Sequence, residues 1–138
     1  MKVISGDYKL DNGRLFQDPL VTTGYLKQDI SIKTNLNVYD FVLQQTDSTK
    51  KIDKYQIDII IEKLQISEVD NLSTYSGGQL RRASLAKTLI LEPGILLLDE
   101  TTNHLDIGTI EWLEEFVKSY NGAIICVSHD RNIPLKCY

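Results

Sequence analysis

Cysteine is scarce in this chain: Cys126 and Cys137 are the only two in 138 residues. That number and spacing exclude a disulfide framework and a cysteine metal cluster, and a reducing cytoplasm is the expected setting. Long apolar runs are missing too. Nothing approaches the roughly 18 consecutive apolar residues needed to cross a bilayer, so no transmembrane segment is expected. The opening MKVISGDYKL lacks the apolar stretch of a signal peptide. Positive charge is in short supply, with a net charge of −4, which argues against a broad basic face for duplex DNA or RNA. Arg81, Arg82 and Lys87 form only a local basic spot, suited to neutralising a ligand phosphate or a neighbouring acid. There is no internal repeat and no low-complexity tract. None of the eight glycines is followed by lysine, so the phosphate-binding loop G-x-x-x-x-G-K-[ST] is absent.

What is present is globular in composition, 42% hydrophobic and 25% charged, and long enough for one domain. Chemistry concentrates in residues 73–131, where three elements follow in order. The first is Ser76-Gly77-Gly78-Gln79, opening a helix. Leu80, Ala83, Ala86 and Ile90 line one side of that helix and Leu85 and Leu89 the other, so burial on two sides is expected. Arg81, Ser84 and Thr88 make a narrow polar stripe between them. A helix start offers unpaired N–H groups and about half a positive charge, which suits a phosphate. Glycine permits close approach, and Ser76 adds a hydroxyl. The bland reading of the same four residues is a serine cap followed by a glycine turn.

The second element is the run Ile95-Leu96-Leu97-Leu98-Asp99-Glu100. Four apolar residues ending in acids read as a strand of a parallel sheet, buried on both faces. Ligands bind at the carboxyl ends of such strands, and alternation sends the two acid side chains in different directions. The third element, Ala123 to Val127, reads as another buried strand and is followed by Ser128-His129-Asp130. Between them a helix is expected over 107–120, with Ile110, Leu113, Val117 and Tyr120 on one face and Asn121-Gly122 as its stop.

Together these elements resemble the second half of an ATP-binding cassette (ABC) ATPase domain. The implied fold is α/β: a partial P-loop NTPase with parallel core strands and a helical subdomain carrying the signature motif. By resemblance Ser76, Gly77, Gly78 and Gln79 are that signature, and Asp99 and Glu100 form a Walker B pair. Asp99 would hold Mg²⁺ directly or through water, and Glu100 would orient the attacking water. Thr101-Thr102-Asn103-His104-Leu105-Asp106 resembles the family's P-T-N-H-L-D loop, with Asp106 as the D-loop aspartate and Thr101 in place of proline. His129 would contact the γ-phosphate. The spelling N-H-L-D, W-L-E and V-S-H-D-R is similar to the ABC-F branch, closest to a Uup-like first cassette. Tyr75 stands where leucine is usual.

The resemblance extends toward the start of the chain. Gly24 to Asp29 is similar to the strand entering the Q-loop, with Gln28 sensing Mg²⁺ and the water. Asp11-Asn12-Gly13 marks a turn, Asn37 to Leu43 a short helix, and Asp53 to Ile66 a longer one. In that longer helix Ile57, Ile60, Ile61 and Leu64 share a face, and Asp53 pairs with Gln56 as a cap. The implied division is 1–30 as core edge and Q-loop, 31–92 as helical subdomain, and 93–138 as Walker B, D-loop and H-loop core. The missing phosphate loop would lie shortly before Met1, on a strand beside the Walker B strand.

The implied ligands are ATP and Mg²⁺, held with a complementing Walker A partner. The implied partners are another ABC cassette and, by family, a ribosome or nucleic acid. Three roles stay open: an ATPase piece that is inactive alone, a partner donating its signature to ATP on another cassette, or a remnant of a truncated gene.

Overall fold

A computed structural model of the chain describes residues 2–27, 35–44, 52–67, 69–100 and 105–127. The described elements run β1 (Thr23–Leu26), α1 (Val38–Leu43), α2 (Lys54–Lys63), α3 (Gly77–Leu89), β2 (Ile95–Asp99), α4 (Ile107–Ser119) and β3 (Ala123–Val127). A short 3-10 turn over Leu72–Thr74 leads into α3.

The three strands form one parallel sheet in the order β1-β2-β3. Leu96, Leu97 and Leu98 are fully buried, as the unbroken apolar run predicts for a strand covered on both faces. Burying each leucine fully contributes roughly 1.5–3 kcal/mol relative to leaving it exposed. β2 is the central strand, with β1 on one side and β3 on the other. This corrects the expectation that a phosphate-loop strand sits beside the Walker B strand, since both neighbouring places are filled.

β3 also differs from its reading. Ala123, Ile125 and Val127 are exposed, and only Ile124 and Cys126 pack against the core. It is an edge strand of the described sheet, paired along β2 alone, so its apolar run is covered on one face rather than two.

α3 is central to the helical side. Ala83, Leu85, Ala86 and Leu89 are all buried, from both expected faces. They share one core cluster with Val38, Phe41 and Val42 of α1, Ile57 and Ile61 of α2, and Leu26, Leu96 and Leu98 of the sheet. α2 opens with the expected cap, Asp53 N–H donating to Gln56 Oε1 at 3.2 Å. It closes earlier than its apolar face suggests: Gln65 takes a left-handed φ of 51°. The Gln65 and Ile66 amides return to the carbonyls of Glu62 and Ile61 at 3.0 and 3.2 Å, the pattern of a Schellman ending.

α4 stops one residue before the predicted Tyr120, whose backbone is already extended. Gly122 serves another purpose than a left-handed stop. A Cβ there would lie 2.7 Å from the Gly94 carbonyl oxygen, so only glycine fits where the chain enters β3. The Tyr120 hydroxyl donates to the Pro93 carbonyl and ties the end of α4 to the loop before β2.

Candidate functional site

The carboxyl ends of β1, β2 and β3 lie side by side, because parallel register aligns Leu26 with Leu98 and Asp99 with Val127. Asp99 is the last residue of β2. Its Oδ2 accepts a 2.9 Å hydrogen bond from the Tyr25 hydroxyl on β1. Burial, then that hydrogen bond and the charge of Asp99, push the Tyr25 hydroxyl up to about 12.

Glu100 leaves the strand. Its amide still donates to the Val127 carbonyl at 2.9 Å, but its φ is +48°, a region costing a non-glycine residue roughly 1–2 kcal/mol. The turn, rather than strand alternation, therefore sets where its carboxylate goes. Backbone strain of this kind in a non-glycine residue is characteristic of functional positions.

Arg81 closes the same corner. Expected on a polar stripe, it is instead 4% exposed. Its Nη2 donates to the Asp99 carbonyl at 3.2 Å and to the Glu100 carbonyl at 2.6 Å. The neighbouring Arg82 takes the other expected part of a basic spot, lying 3.7 Å from Asp106 Oδ1. Lys87 does neither; its ammonium sits 4.1 Å over the Phe41 ring, and burial lowers its pKa.

Ser76 caps α3. Its hydroxyl oxygen accepts from the Gln79 amide at 3.4 Å, and its own amide donates to Gln79 Oε1 at 2.9 Å. The serine-cap reading is thus true of this helix, and it leaves room for the other. Among the described residues no hydrogen bond occupies the Gly77 and Gly78 amides, and a Cβ on Gly77 would meet open space. Asp106 is likewise a cap, accepting from the Thr109 amide at 3.1 Å and the Thr109 hydroxyl at 2.8 Å. The hydroxyl bond is the largest cause holding the Asp106 carboxyl below its usual range.

A cavity of about 460 Å³ opens at Asp99, lined also by Lys2, Val3, Tyr8, Lys9 and Asp11. The structure thus brings Asp99 and Glu100 together at the strand end, joined to α3 through Arg81. Asp106 connects to that helix separately through Arg82. Gln28 and His129 lie outside the described residues, as does the segment 101–104. Among the described residues no group of three or more His, Cys, Asp or Glu side chains is placed to hold a metal by itself. None of the described helices is long and apolar enough to cross a membrane.

The bond of Tyr25 to Asp99 has no sequence signal, since a tyrosine in a half-buried strand looks like packing. Arg81 stands out in the sequence as part of a polar stripe and a local basic spot, but its partners are the carbonyls of Asp99 and Glu100 rather than a phosphate or an acid side chain.

Comparison with known proteins gives a family and a fold. A family model described as ABC transporter matches residues 1–103. The chain is 42% identical over 138 residues to ATP-binding protein Uup of Buchnera aphidicola subsp. Acyrthosiphon pisum, covering 96% of this chain and 23% of the relative. It is 33% identical over 137 residues to a probable ATP-binding cassette sub-family F member 3 homolog of Encephalitozoon cuniculi, covering 94% and 23%. Among solved structures it is similar to a chain in the complex of archaeal ribosomal stalk protein aP1 with archaeal ribosome recycling factor aABCE1. There the TM-score is 0.72 at 24% identity, with 91% of this chain and 25% of that one covered. The chain spans about a quarter of the length of each of these proteins.

Proposed function

This chain belongs to the ABC transporter family, with Uup-type ABC-F proteins as relatives, and from that premise we propose that it is the acid-and-signature portion of an ATP-hydrolysing cassette. Asp99 would hold Mg²⁺ and Glu100 would orient the attacking water, with Gln28 and His129 as further candidates toward the cation and the γ-phosphate. Residues 1–30 and 93–138 make the core, and 31–92 the helical subdomain. The observation that carries this reading is the pair of acids at the carboxyl end of a central parallel strand, where ligands of such sheets bind. The test is a titration with Mn²⁺ as a paramagnetic probe. Broadening should centre on Asp99 and Glu100 and vanish in Asp99→Asn; broadening that ignores that substitution would refute the metal role.

A second reading is supported by the open space at Gly77 and by the Gly77 and Gly78 amides, which meet no acceptor among the described residues. In it, residues 76–79 and Asp106 cap ATP held by another cassette, one that carries its own phosphate loop. Mixed with such a cassette, the chain should stimulate phosphate release. Ser76→Arg should abolish that stimulation by placing bulk where the phosphate approaches, whereas Glu100→Gln should leave it unchanged. Equal stimulation by wild type and Ser76→Arg would count against donation. A ribosome or nucleic acid as partner is proposed on the resemblance to the ABC-F branch alone.

A further inference from the structure

The backbone carbonyls of Asp99 and Glu100 are both held by a side chain from another element. Glu100 sits at φ +48°, where a β-carbon is crowded against the following carbonyl. Its amide belongs to the sheet through Val127, so the amide alone does not fix how the chain turns next. The turn is fixed on its carbonyl side, by a guanidinium from another element. Arg81 Nη2 reaches the two successive carbonyls of Asp99 and Glu100 at 3.2 and 2.6 Å. The side chain is 4% exposed, so water does not compete well for these bonds, and charge-assisted bonds of this kind are the strong ones.

We infer that Arg81 is a positioning residue. By holding both carbonyls it sets the directions in which the Asp99 and Glu100 carboxylates leave the strand, and it ties the helix that opens with residues 76–79 to that acid pair. The inference rests on the reading of Asp99 as the cation ligand for its functional meaning, but the clamp itself does not depend on it. Arg81 is the fifth residue of α3 (Gly77–Leu89), little more than one turn from the helix start. A displacement of that helix start would be felt at the acids through this side chain.

The experiment uses the 138-residue chain, isotope-labelled, with two readouts. The intraresidue contact between the amide and α protons of Glu100 is strong only at positive φ. Mn²⁺ titration reports the geometry of the acid pair. Arg81→Met keeps the stem and removes the donors. It should weaken the Glu100 contact and lower Mn²⁺ affinity about tenfold, the usual cost of losing a group that orients a ligand. Arg81→Lys, with a donor restored, should recover part of both. Unchanged Glu100 contact and unchanged affinity in Arg81→Met overturn the proposal. If Arg81→Met does not fold, the wild type decides: the Arg81 Nη protons should exchange slowly and couple to the Asp99 and Glu100 carbonyls, and fast exchange overturns it. Failure of the cation reading looks different, as a wild-type chain whose acids Mn²⁺ does not broaden, and the Glu100 contact then still judges the clamp.

Discussion

A phenol beside a carboxylate makes the Tyr25–Asp99 bond readable by pH. The Tyr25 hydroxyl is raised to about 12 in the folded protein, against about 10 unfolded. A raised folded value means the native state holds the proton more tightly. The contribution is therefore complete below about pH 10 and is lost as pH climbs through about 12. Tyr25→Phe should cost about 1 kcal/mol at neutral pH, the net worth of one hydrogen bond. It should also make the alkaline fall in stability shallower. Tyr75 and Tyr120, both raised chiefly by burial, keep part of that slope in the variant. Urea midpoints at neutral and strongly alkaline pH give the comparison, and parallel curves for the two proteins would contradict the bond. Asp106 works at the acid end with the opposite sign. Its pKa is lowered by Thr109, so its contribution holds above the ordinary carboxylate range and fades as pH falls below it.

At the scale of elements, helix ends explain more than helix middles. Gln65 occupies the left-handed position after α2, where glycine is usual. It is exposed, so Gln65→Gly should lose no buried contact. Relief of the strain is worth roughly 1–2 kcal/mol, and the extra freedom of glycine in the unfolded chain takes back about 0.4–1. The expected gain is about 0.5–1 kcal/mol in a denaturant titration, and a lower midpoint would show that the strain is not there. The same ending shows what the sequence made legible. The apolar faces of α2, α3 and α4 were readable because burial imposes a 3.6-residue period. The run 95–98 was readable because an unbroken apolar run bounded by Pro93-Gly94 and by acids fits a doubly covered parallel strand. α2 was read too long, to Ile66, because Ile66 is apolar and buried while its backbone has already turned. β3 was read as buried because the same alphabet serves a central strand and an edge strand; pairing, a long-range property, separates them. At the site, the acids and the serine cap were legible as short patterns. The contacts of Tyr25 and Arg81 with Asp99 and Glu100 were not, because they join residues 74, 18 and 19 positions apart.

Taken whole, the described residues gather two acids, a tyrosine bonded to one of them and an arginine bonded to the backbone of both at one end of a three-stranded sheet, without a lysine-bearing phosphate loop in the 138 residues. That composition sets what the chain by itself can do with nucleotide. On the proposed roles, a cation on Asp99 and a water aimed by Glu100 become productive only once the triphosphate is fixed, because phosphoryl transfer depends almost wholly on positioning and charge stabilisation. The amides and lysine of the loop supply most of the contacts to the β- and γ-phosphates. Each charge-assisted hydrogen bond forgone is worth roughly 1.5–3 kcal/mol, so several together weaken binding by orders of magnitude. Stacking of adenine on an aromatic ring, at about 1–3 kcal/mol, does not offset that loss. Lys2 and Lys9 line the cavity at Asp99, but Asp11 and Asp99 line it too, and their charges cancel those of the lysines. The purified chain should therefore show neither tight binding of Mg-ATP nor turnover. Calorimetric titration with Mg-ATP, run beside a phosphate-release assay, measures both. A micromolar dissociation constant, or phosphate release that disappears in Glu100→Gln, would mean that the acids and lysines at this sheet end fix the triphosphate without the loop.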